Sequence, residues 1–458
     1  MVTPGAVVVA APSSGAGKTT VATGLMAALR RAGHCVAGFK VGPDFIDPGY
    51  HGLATGRPGR NLDPVLVGTE LIAPLYAAGA AGADIAVVEG VMGLFDGRIP
   101  AGDAPGPAIP DGSTAQVAGL IGAPIVLVVD ARGQSQSLAA LLHGFAGFDA
   151  SVSLAGVILN QVGSARHEQV LRQACGSVGL PVLGALPRAD ALSVPSRHLG
   201  LVTAVEHGAA AWAAVDAMAE LVAQRVDLPA VAAIAARAAG AVSAPPWSPA
   251  QHIEPVAGAP VVAVAAGAAF SFGYAEHTEL LSAAGAQVVA FDPLTDALPA
   301  EAAALVLPGG FPEQHLGELS ANEALRGQIR GFAGPIHAEC AGLTYLMDDL
   351  DGAPMCGVLA GSARFTRRLT LGYRDAVAVA DSCLRRAGER VVGHEFHRTV
   401  VEFAGEVTPA WKFRDGAGTV IADGAVRGPM SAAYLHTHPA ASPAAVRRFV
   451  EAADTIPR

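Results

Sequence analysis

The chain is poor in charged residues, aromatic residues and cysteine for its length of 458 residues. Charged residues make up 15% of it and aromatic residues 5%, and 40 acidic side chains outnumber 30 basic ones. A formal net charge of −10 without a basic stripe argues against nucleic acid as the main partner. It does not exclude a small anionic substrate, because a local pocket can oppose the global charge.

Long hydrophobic runs are also missing. Hydrophobic residues reach 51%, but much of this is alanine, and no segment has the ~18 consecutive apolar residues of a membrane span. Residues 1–11 lack the basic region of a secretory signal. The five cysteines are an odd number without C-x-x-C spacing, which indicates reduced thiols in a reducing compartment. We therefore expect a cytoplasmic globular enzyme without a membrane partner.

Residues 7–20, VVVAAPSSGAGKTT, have the form of a phosphate-binding loop. Two glycines let backbone N–H groups surround a polyphosphate, and the following helix offers its N-terminal end to the anion. The lysine is predicted to neutralise the outer phosphates of ATP, and the hydroxyl of Thr19 to bind Mg²⁺. Pro12 stands where such loops usually begin with glycine, and the alternative is a simple turn between a strand and a helix. The residues predicted to bind the nucleotide are Gly15, Gly17, Lys18, Thr19 and Thr20.

Apolar strands alternate with helices from residue 1 to residue 240, which predicts a parallel β-sheet covered by helices. The predicted strands after the first are 36–41, 84–90, 124–130, 154–160 and 182–187. Ser113 is predicted to cap the helix that it precedes. Asn160 ends one strand and is predicted to contact the purine end of the nucleotide.

Acidic residues follow two of these strands, at the edge of the sheet where open α/β folds bind ligands. Asp44 and Asp47 lie in the loop after strand 36–41, whereas Glu89 ends strand 84–90 and precedes Asp96. We predict that Glu89 and Asp44 bind Mg²⁺ and that Asp44 and Asp96 contact the substrate. The alternative for Asp44 and Asp47 is a role as turn or helix caps.

A second α/β domain is predicted over residues 260–458, after a linker at 241–259 that is rich in proline and serine. Its predicted strands are 260–265, 287–291, 303–307 and 335–339. The third of these strands leads into Gly309 and Gly310, whose backbone N–H groups can point at a ligand oxygen.

Cys340 lies on a tight turn between a strand and a helix. This position predicts an exposed thiol whose pKa is lowered by the helix N-terminus, and therefore a nucleophile. The remaining cysteines are predicted to be buried and structural; they are Cys35, Cys175, Cys356 and Cys383.

A thiolate nucleophile needs a base, and several histidines lie near predicted strand ends. His436 follows a late strand-like run, where a distant partner of the nucleophile would return to it, and we choose it as the base. His394, His397 and His438 have the alternative of packing or substrate contact. His337 lies shortly before the cysteine.

The motifs together resemble the cobyrinate or hydrogenobyrinate a,c-diamide synthase family over nearly the whole chain. They are APSSGAGKTT, KVGPDFIDPGYH, VVEGVMGLFDG, PGGFPE, AECAGLTYL, GHEFH and YLHTH. The resemblance implies an N-terminal domain like dethiobiotin synthetase and a C-terminal class I glutamine amidotransferase domain.

It also implies a division of chemistry between the two domains. Cys340 would hydrolyse glutamine through a thioester, assisted by His436, with the Gly309–Gly310 loop as oxyanion hole. Mg·ATP would phosphorylate a carboxylate of a corrin ring, and the ammonia would displace the phosphate at the a and c acetate side chains.

Three positions distinguish this chain from related patterns. Ordinary triad amidotransferases have glutamate two residues after the histidine, but His438 stands there, so the sequence does not identify a third triad member. The opening strand has Gly267 where the family often has aspartate. The turn around Cys340 reads A-E-C-A-G, which resembles the diamide synthases rather than the cobyric acid synthases.

Several alternatives remain at this point. The substrate could be another tetrapyrrole, or cobyrinate in place of hydrogenobyrinate. Of these the Ala/Gly/Arg-rich composition favours hydrogenobyrinate, because it is typical of a high-GC aerobic source. A different class is an ATP-dependent switch with a degenerate amidotransferase-like binding domain, against which the intact Cys340 and His436 argue. A homodimer is also considered.

Overall fold

The computed structural model of the protein describes residues 3–99, 107, 109–188, 196–197, 200–201 and 203–455. The chain divides into two compact units, Met1–Trp247 and Ser248–Arg458. The division falls inside residues 241–259, the segment predicted as a linker. Each unit contains a largely parallel sheet with helices, so the predicted α/β fold class is confirmed.

A parallel sheet forms the centre of the first unit. Its described strands are β1 (Gly5–Ala10), β2 (Val36–Val41), β3 (Arg60–Leu62), β4 (Ile85–Glu89), β5 (Ile125–Asp130), β6 (Leu154–Val162) and β7 (Val182–Pro187). They lie in the order β3-β2-β4-β1-β5-β6-β7, and all neighbouring pairs are parallel. Strands β1, β2 and β4 are buried along their whole length, as expected for a sheet with helices on both faces.

Helices connect these strands. Those described are α1 (Lys18–Arg31), α2 (Asp47–Thr55), α3 (Pro64–Val67), α4 (Thr69–Gly79), α5 (Thr114–Leu120), α6 (Leu138–Gly147), α7 (Ala165–Ser177), α8 (Ala204–His207), α9 (Ala209–Arg225) and α10 (Leu228–Ala236). The pair β8 (Ser196–Arg197) and β9 (Gly200–Leu201) is antiparallel. Ser113 accepts the N–H of Gln116 and caps α5, as predicted. Within the described residues, no helix is long and apolar enough to span a membrane.

The strand order brings three loops of the first unit together. Lys40 on β2 is the register partner of Glu89 on β4, and Glu89 is also the partner of Val9 on β1. Because these strands are parallel, the loops that follow them leave the sheet at the same edge. The phosphate-binding loop and the loops 42–46 and 90–97 are therefore neighbours.

The second unit has two larger sheets. Its described strands are β10 (Val261–Ala265), β11 (Gln287–Phe291), β12 (Ala302–Leu307), β13 (Ile336–Glu339), β14 (Met347–Leu350), β15 (Ala353–Pro354), β16 (Leu359–Ala378), β17 (Arg390–Phe403), β18 (Trp411–Arg414), β19 (Val420–Asp423), β20 (Ala425–Arg427), β21 (Met430–Ala433) and β22 (His436–Thr437). The helices described beside them are α11 (Ala275–Ala283), α12 (Leu316–Ala321), α13 (Glu323–Arg330), α14 (Ala341–Leu346) and α15 (Pro443–Asp454).

The central sheet of this unit has the order β11-β10-β12-β13-β21-β20, and only the β20–β21 pair is antiparallel among its described strands. A second sheet, β15-β14-β16-β17-β22, packs its long β16–β17 hairpin beside it. Since β13 and β21 are parallel neighbours, Cys340 after β13 and His436 after β21 leave the sheet at the same edge. The backbone N–H of Cys340 donates to the carbonyl of Ala433 at 2.8 Å, which fixes the two exits together.

Candidate active sites

Backbone conformations at the phosphate-binding loop require glycine at two positions. Gly15 has φ 79° and Gly17 has φ 97°, a region that side chains disfavour. A Cβ on Gly17 would also lie 2.2 Å from Nδ2 of Asn160. Asn160 donates this amide to the carbonyl of Ala16 at 2.9 Å, so it anchors the loop. Its predicted contact with the purine stays a prediction.

Lys18 is the first residue of α1 and lies over the loop. Its Nζ donates to the carbonyl oxygens of Ser13 and Met92, one on each side. Burial and the neighbouring Lys40 ammonium lower the pKa of Lys18 to about 8, against the opposing effect of Glu89 and Asp47. An incoming phosphate would stabilise this charge, as expected of the predicted phosphate ligand.

Glu89 is the centre of a buried polar cluster at the end of β4. Its Oε1 accepts from Thr19 Oγ1 at 2.6 Å and from Lys40 Nζ at 3.0 Å, while its Oε2 accepts from His51 Nε2 at 2.7 Å. Burial alone would raise the pKa of Glu89, but the Lys40 charge and the His51 hydrogen bond hold it well below its usual range. Glu89 is therefore ionised and ordered next to Thr19, the residue predicted to bind Mg²⁺.

Asp47 completes this cluster. Its Oδ2 lies 2.7 Å from Lys40 Nζ and accepts from Thr19 Oγ1 at 3.4 Å. Burial raises the pKa of Asp47, and the negative charges of Asp44 and Glu89 add to the effect, while Lys40 opposes it. Two carboxylates thus share one buried ammonium beside a hydroxyl.

The structure separates Asp44 from Asp47. Asp44 Oδ1 accepts the backbone N–H groups of Ile46 at 2.8 Å and Asp47 at 2.9 Å, so this oxygen caps the turn that starts α2. Asp47 rather than Asp44 contacts Thr19, and the prediction that Asp44 binds Mg²⁺ and substrate stays a prediction. Asp96 is exposed, and its Oδ2 accepts the N–H of Gly93 at 2.7 Å in its own loop.

Lys40 and His51 were missed by the sequence interpretation. Lys40 is 4% exposed inside an otherwise apolar strand, and His51 is fully buried on α2. A lysine in a buried strand was a usable signal, because lysine is rarely buried without a partner. The histidine gave no such signal, since its contact with Glu89 depends on the orientation of α2.

Cys340 has a strained backbone between β13 and α14. Its φ of 50° is unusual for a residue with a side chain and is typical of a nucleophile on a sharp strand-to-helix turn. The backbone N–H groups of Ala341 and Gly310 donate to the sulfur. The thiol itself faces the carbonyl of Phe396 on β17, at 3.7 Å.

The prediction that Cys340 is an exposed thiol with a lowered pKa is wrong. Cys340 is only 5% exposed, and burial together with the Glu313 charge raises its pKa well above the usual range. The reason is that β17 of the second sheet covers the turn, which the local pattern of strand and helix does not reveal. The helix α14, of six residues, does not offset this burial.

The two glycines after β12, Gly309 and Gly310, let the backbone pass close to neighbouring groups. A Cβ on Gly310 would lie 2.0 Å from the carbonyl oxygen of Ala269, and a Cβ on Gly309 would lie 2.4 Å from Cε1 of His436. Gly309 therefore contacts the imidazole while Gly310 donates to the sulfur of Cys340. This backbone segment brings the predicted nucleophile and base to one place.

An acid that the sequence interpretation missed stands behind His436. Oε2 of Glu339 lies 3.4 Å from Nδ1 of His436, and its Oε1 lies 3.3 Å from Nε2 of His337. Oε1 also accepts from the backbone N–H of Thr437 at 3.2 Å. Burial opposes the charge of Glu339, but the adjacent imidazoles of His337 and His436 hold its pKa well below normal.

The other candidate bases have different contacts. His397 Nδ1 bonds the carbonyl of Thr399 at 2.9 Å and its ring stacks on Tyr434 at 3.7 Å. His438 accepts the N–H of Ala440 and packs against a tyrosine. Burial and the nearby His436 lower the pKa of His394 to about 3. These contacts favour His436 as the base.

Three of the remaining cysteines, Cys175, Cys356 and Cys383, are buried as predicted. Cys35 is exposed, so its predicted burial is wrong. It lies in the loop before β2, and Arg57 Nη1 donates to its sulfur at 3.7 Å.

Comparisons with known proteins match both units. Residues 7–202 match the family described as CobQ/CobB/MinD/ParA nucleotide binding domain, and residues 261–444 match the CobB/CobQ-like glutamine amidotransferase domain. These two segments contain the phosphate-binding loop and the Cys340–His436 site respectively.

Curated relatives cover almost the full chain. A protein of Mycobacterium tuberculosis named hydrogenobyrinate a,c-diamide synthase is 64% identical over 99% of both chains. One of the same name from Streptomyces coelicolor is 54% identical over 97% of this chain and 96% of its own. A protein of Syntrophotalea carbinolica named cobyrinate a,c-diamide synthase is 41% identical over 97% of each.

Proposed function

The chain belongs to the family of cobyrinate and hydrogenobyrinate a,c-diamide synthases, and we propose that it amidates the a and c acetate carboxylates of hydrogenobyrinate in cobalamin biosynthesis. The enzyme is an ATP-dependent carbon–nitrogen ligase that uses glutamine as the nitrogen donor. The observation that carries the proposal is the convergence of Cys340, His436 and the Gly309–Gly310 backbone in a chain that also has a nucleotide-binding unit.

Glutamine hydrolysis is proposed for the second unit. His436 takes the proton of the Cys340 thiol, and the sulfur attacks the side-chain amide carbon of glutamine. The backbone N–H groups of Gly310 and Ala341 stabilise the negative oxygen that forms. His436 then protonates the departing ammonia, and water hydrolyses the thioester to glutamate.

The raised pKa of Cys340 is compatible with this sequence of steps. A buried thiol is neutral at rest, so it resists oxidation and needs a base when the substrate arrives. Glu339 orients His436 through Nδ1 and stabilises the imidazolium that forms. In this proposal Glu339 is the third member of the triad.

Carboxylate activation is proposed for the first unit. Lys18 neutralises the outer phosphates of ATP while an acetate oxygen of the substrate attacks the γ-phosphorus. ADP leaves, and the resulting acyl phosphate is attacked by ammonia, which releases phosphate and leaves the amide. Gly15 and Gly17 leave room for the phosphates to contact backbone N–H groups of the loop, and Thr20 belongs to the same nucleotide site.

The residues near Lys18 fit Mg²⁺ in its complex with ATP. Within the described residues, no group of three or more His, Cys, Asp and Glu side chains could hold a metal ion. Mg²⁺ in nucleotide sites, however, needs only one or two carboxylates because phosphates and waters supply the rest. Thr19, Glu89 and Asp47 offer a hydroxyl and two carboxylates, and the ion would neutralise phosphate charge there.

The choice of corrinoid follows the relatives, among which the 64% and 54% identical proteins are named for hydrogenobyrinate. The test is to incubate the enzyme with ATP, glutamine and either hydrogenobyrinate or cobyrinate, and to follow two successive amide additions by mass spectrometry. Diamide formed faster from cobyrinate would overturn the choice of substrate. No amide from either would overturn the function.

We place this reaction in the cytoplasm, which supplies ATP and glutamine. A homodimer is also proposed, and light scattering after gel filtration tests it.

A further inference from the structure

A group of three aromatic rings, one exposed and two half-buried, lies in the first unit. We use the name aromatic cluster for Phe95, in the loop after β4, Phe145, near the end of α6, and Phe148, which follows that helix. The ring centroids of Phe95 and Phe148 are 4.5 Å apart, and those of Phe95 and Phe145 are 5.8 Å apart. Phe148 is 57% exposed.

The cluster retains much apolar surface in water. Burying a phenylalanine side chain stabilises a protein, and Phe148 forgoes much of that stabilisation because more than half of it stays in water. Met92, on the same loop as Phe95, is 42% exposed. A single exposed apolar residue needs no explanation, but adjoining rings beside a candidate active site are typical of a ligand-binding surface.

The loop after β4 connects the cluster to the proposed phosphate site. Lys18 donates its Nζ to the carbonyl of Met92, which has a φ of 46°. The loop then continues through Gly93 to Phe95. Asp96, the residue after Phe95, accepts the N–H of Gly93. Residues 92–95 therefore join the cluster to the carbonyl that accepts from Lys18.

We propose that the aromatic cluster binds a flat face of the corrin macrocycle. This proposal rests on the proposed function, because it takes the corrinoid as the substrate. The macrocycle offers apolar faces and carries its carboxylates on its periphery, so stacking removes Phe148 from water while the carboxylates outside the reacting position stay hydrated.

This mode of binding accounts for two amidations at one phosphate site. Apolar contact is non-directional, so a ring can turn within its own plane on the cluster without losing much stabilisation. Hydrogen bonds to individual side chains would hold only one orientation. The cluster therefore lets two acetate groups on the rim reach Lys18 in turn.

The test compares Phe148→Ala, Phe148→Tyr and the control Trp212→Ala. Trp212 is a matched control because it is 50% exposed and lies on α9 of the same unit. The measurements are the KM for hydrogenobyrinate in ammonia-dependent amidation, the KM for ATP, and the Kd for hydrogenobyrinate without ATP from an absorbance titration.

We expect Phe148→Ala to raise the KM and Kd for the corrinoid roughly tenfold, the effect of one lost aromatic contact. Phe148→Tyr retains the ring and should restore both to within about twofold, whereas Trp212→Ala should change neither. The KM for ATP should stay the same in all three. Because Phe148 is exposed, its replacement leaves the fold intact, which circular dichroism checks.

Each negative result leads to a different conclusion. If the unmodified enzyme amidates the corrinoid and Phe148→Ala has an unchanged corrinoid KM and Kd, the cluster is not the corrinoid surface and only this inference is overturned. If that variant also changes the molar mass in light scattering, the cluster binds a second copy of the chain. If the unmodified enzyme amidates no corrinoid, the proposed function fails and this inference fails with it.

Discussion

Oε2 of Glu339 lies 3.4 Å from Nδ1 of His436, although the two residues are far apart in the sequence. Glu339 ends β13 directly before Cys340, the proposed nucleophile, and His436 begins β22 after the neighbouring parallel strand β21. The proposed acid and the proposed base thus follow adjacent strands of one sheet. In ordinary triad amidotransferases the acid follows the histidine by two residues, where this chain has His438.

Glu339→Gln should lower glutamine hydrolysis by about 10²-fold or more, because the neutral amide no longer stabilises the imidazolium of His436. Amidation with ammonia should stay near normal, since Cys340 is not needed when ammonia is supplied. The measurement is glutamate release and corrinoid amidation for each nitrogen source, over a range of pH.

Glu318→Gln is the control for that substitution, because its side chain is 59% exposed and makes only a weak contact with His315. It should leave glutamine hydrolysis unchanged. Normal hydrolysis in Glu339→Gln, with an unaltered pH profile, would mean that Glu339 only packs beside His436.

Cys340→Ala should abolish glutamine-dependent amidation and retain amidation with ammonia, because the sulfur is needed only to release nitrogen from glutamine. His436→Ala should act in the same direction, with a loss of ~10²–10⁴ in glutaminase rate. His438→Ala, which removes a side chain that accepts the N–H of Ala440, should be milder. If His438→Ala proves the more damaging change, the base has been assigned to the wrong histidine.

The pKa of Cys340 is raised by burial and by Glu313, and this predicts a pH dependence for its alkylation. A protonated thiol reacts through its small thiolate fraction, so the rate with iodoacetamide should rise about tenfold per pH unit from pH 7 to 9 without a plateau. Mass spectrometry of the peptide that contains Cys340 gives the rate, in a Cys35→Ser background because Cys35 is exposed and would consume the reagent. A plateau near pH 7 would contradict a raised pKa.

Local patterns were sufficient for the strands, the phosphate-binding loop and the turn at Cys340, since apolar runs, glycines and strand ends are properties of short segments. The same patterns led to Lys18, Glu89 and the two glycines at 309 and 310. They also indicated the sheet edge at which ligands bind.

Contacts between distant elements could not be derived in this way. The burial of Cys340 depends on β17 lying over it, and the role of Glu339 depends on the pairing of β13 with β21. Asp44 and Asp47 are too close in sequence for a pattern to separate them. Which one caps the turn and which one enters the cluster depends on the residue at which α2 begins.

The last prediction separates these two aspartates. Asp47→Asn removes an acidic group whose Oδ2 lies 2.7 Å from Lys40 Nζ and 3.4 Å from Thr19 Oγ1. Glu89 would then be the only carboxylate beside the ammonium of Lys40. Less of its negative charge would be available to a metal ion held with ATP. We expect amidation to fall by ~10²-fold or more with both glutamine and ammonia, because activation of the carboxylate is common to both.

Asp44→Asn is the matched change, since asparagine caps turns about as well as aspartate. It should keep amidation within about threefold and change the free energy of unfolding by no more than about 0.5 kcal/mol. Glutamine hydrolysis should persist in both variants because it belongs to the second unit, and denaturant unfolding checks that the first unit is folded. If Asp44→Asn removes amidation and Asp47→Asn does not, the carboxylate that serves Mg·ATP is Asp44, and the turn cap seen at its Oδ1 is secondary to that role.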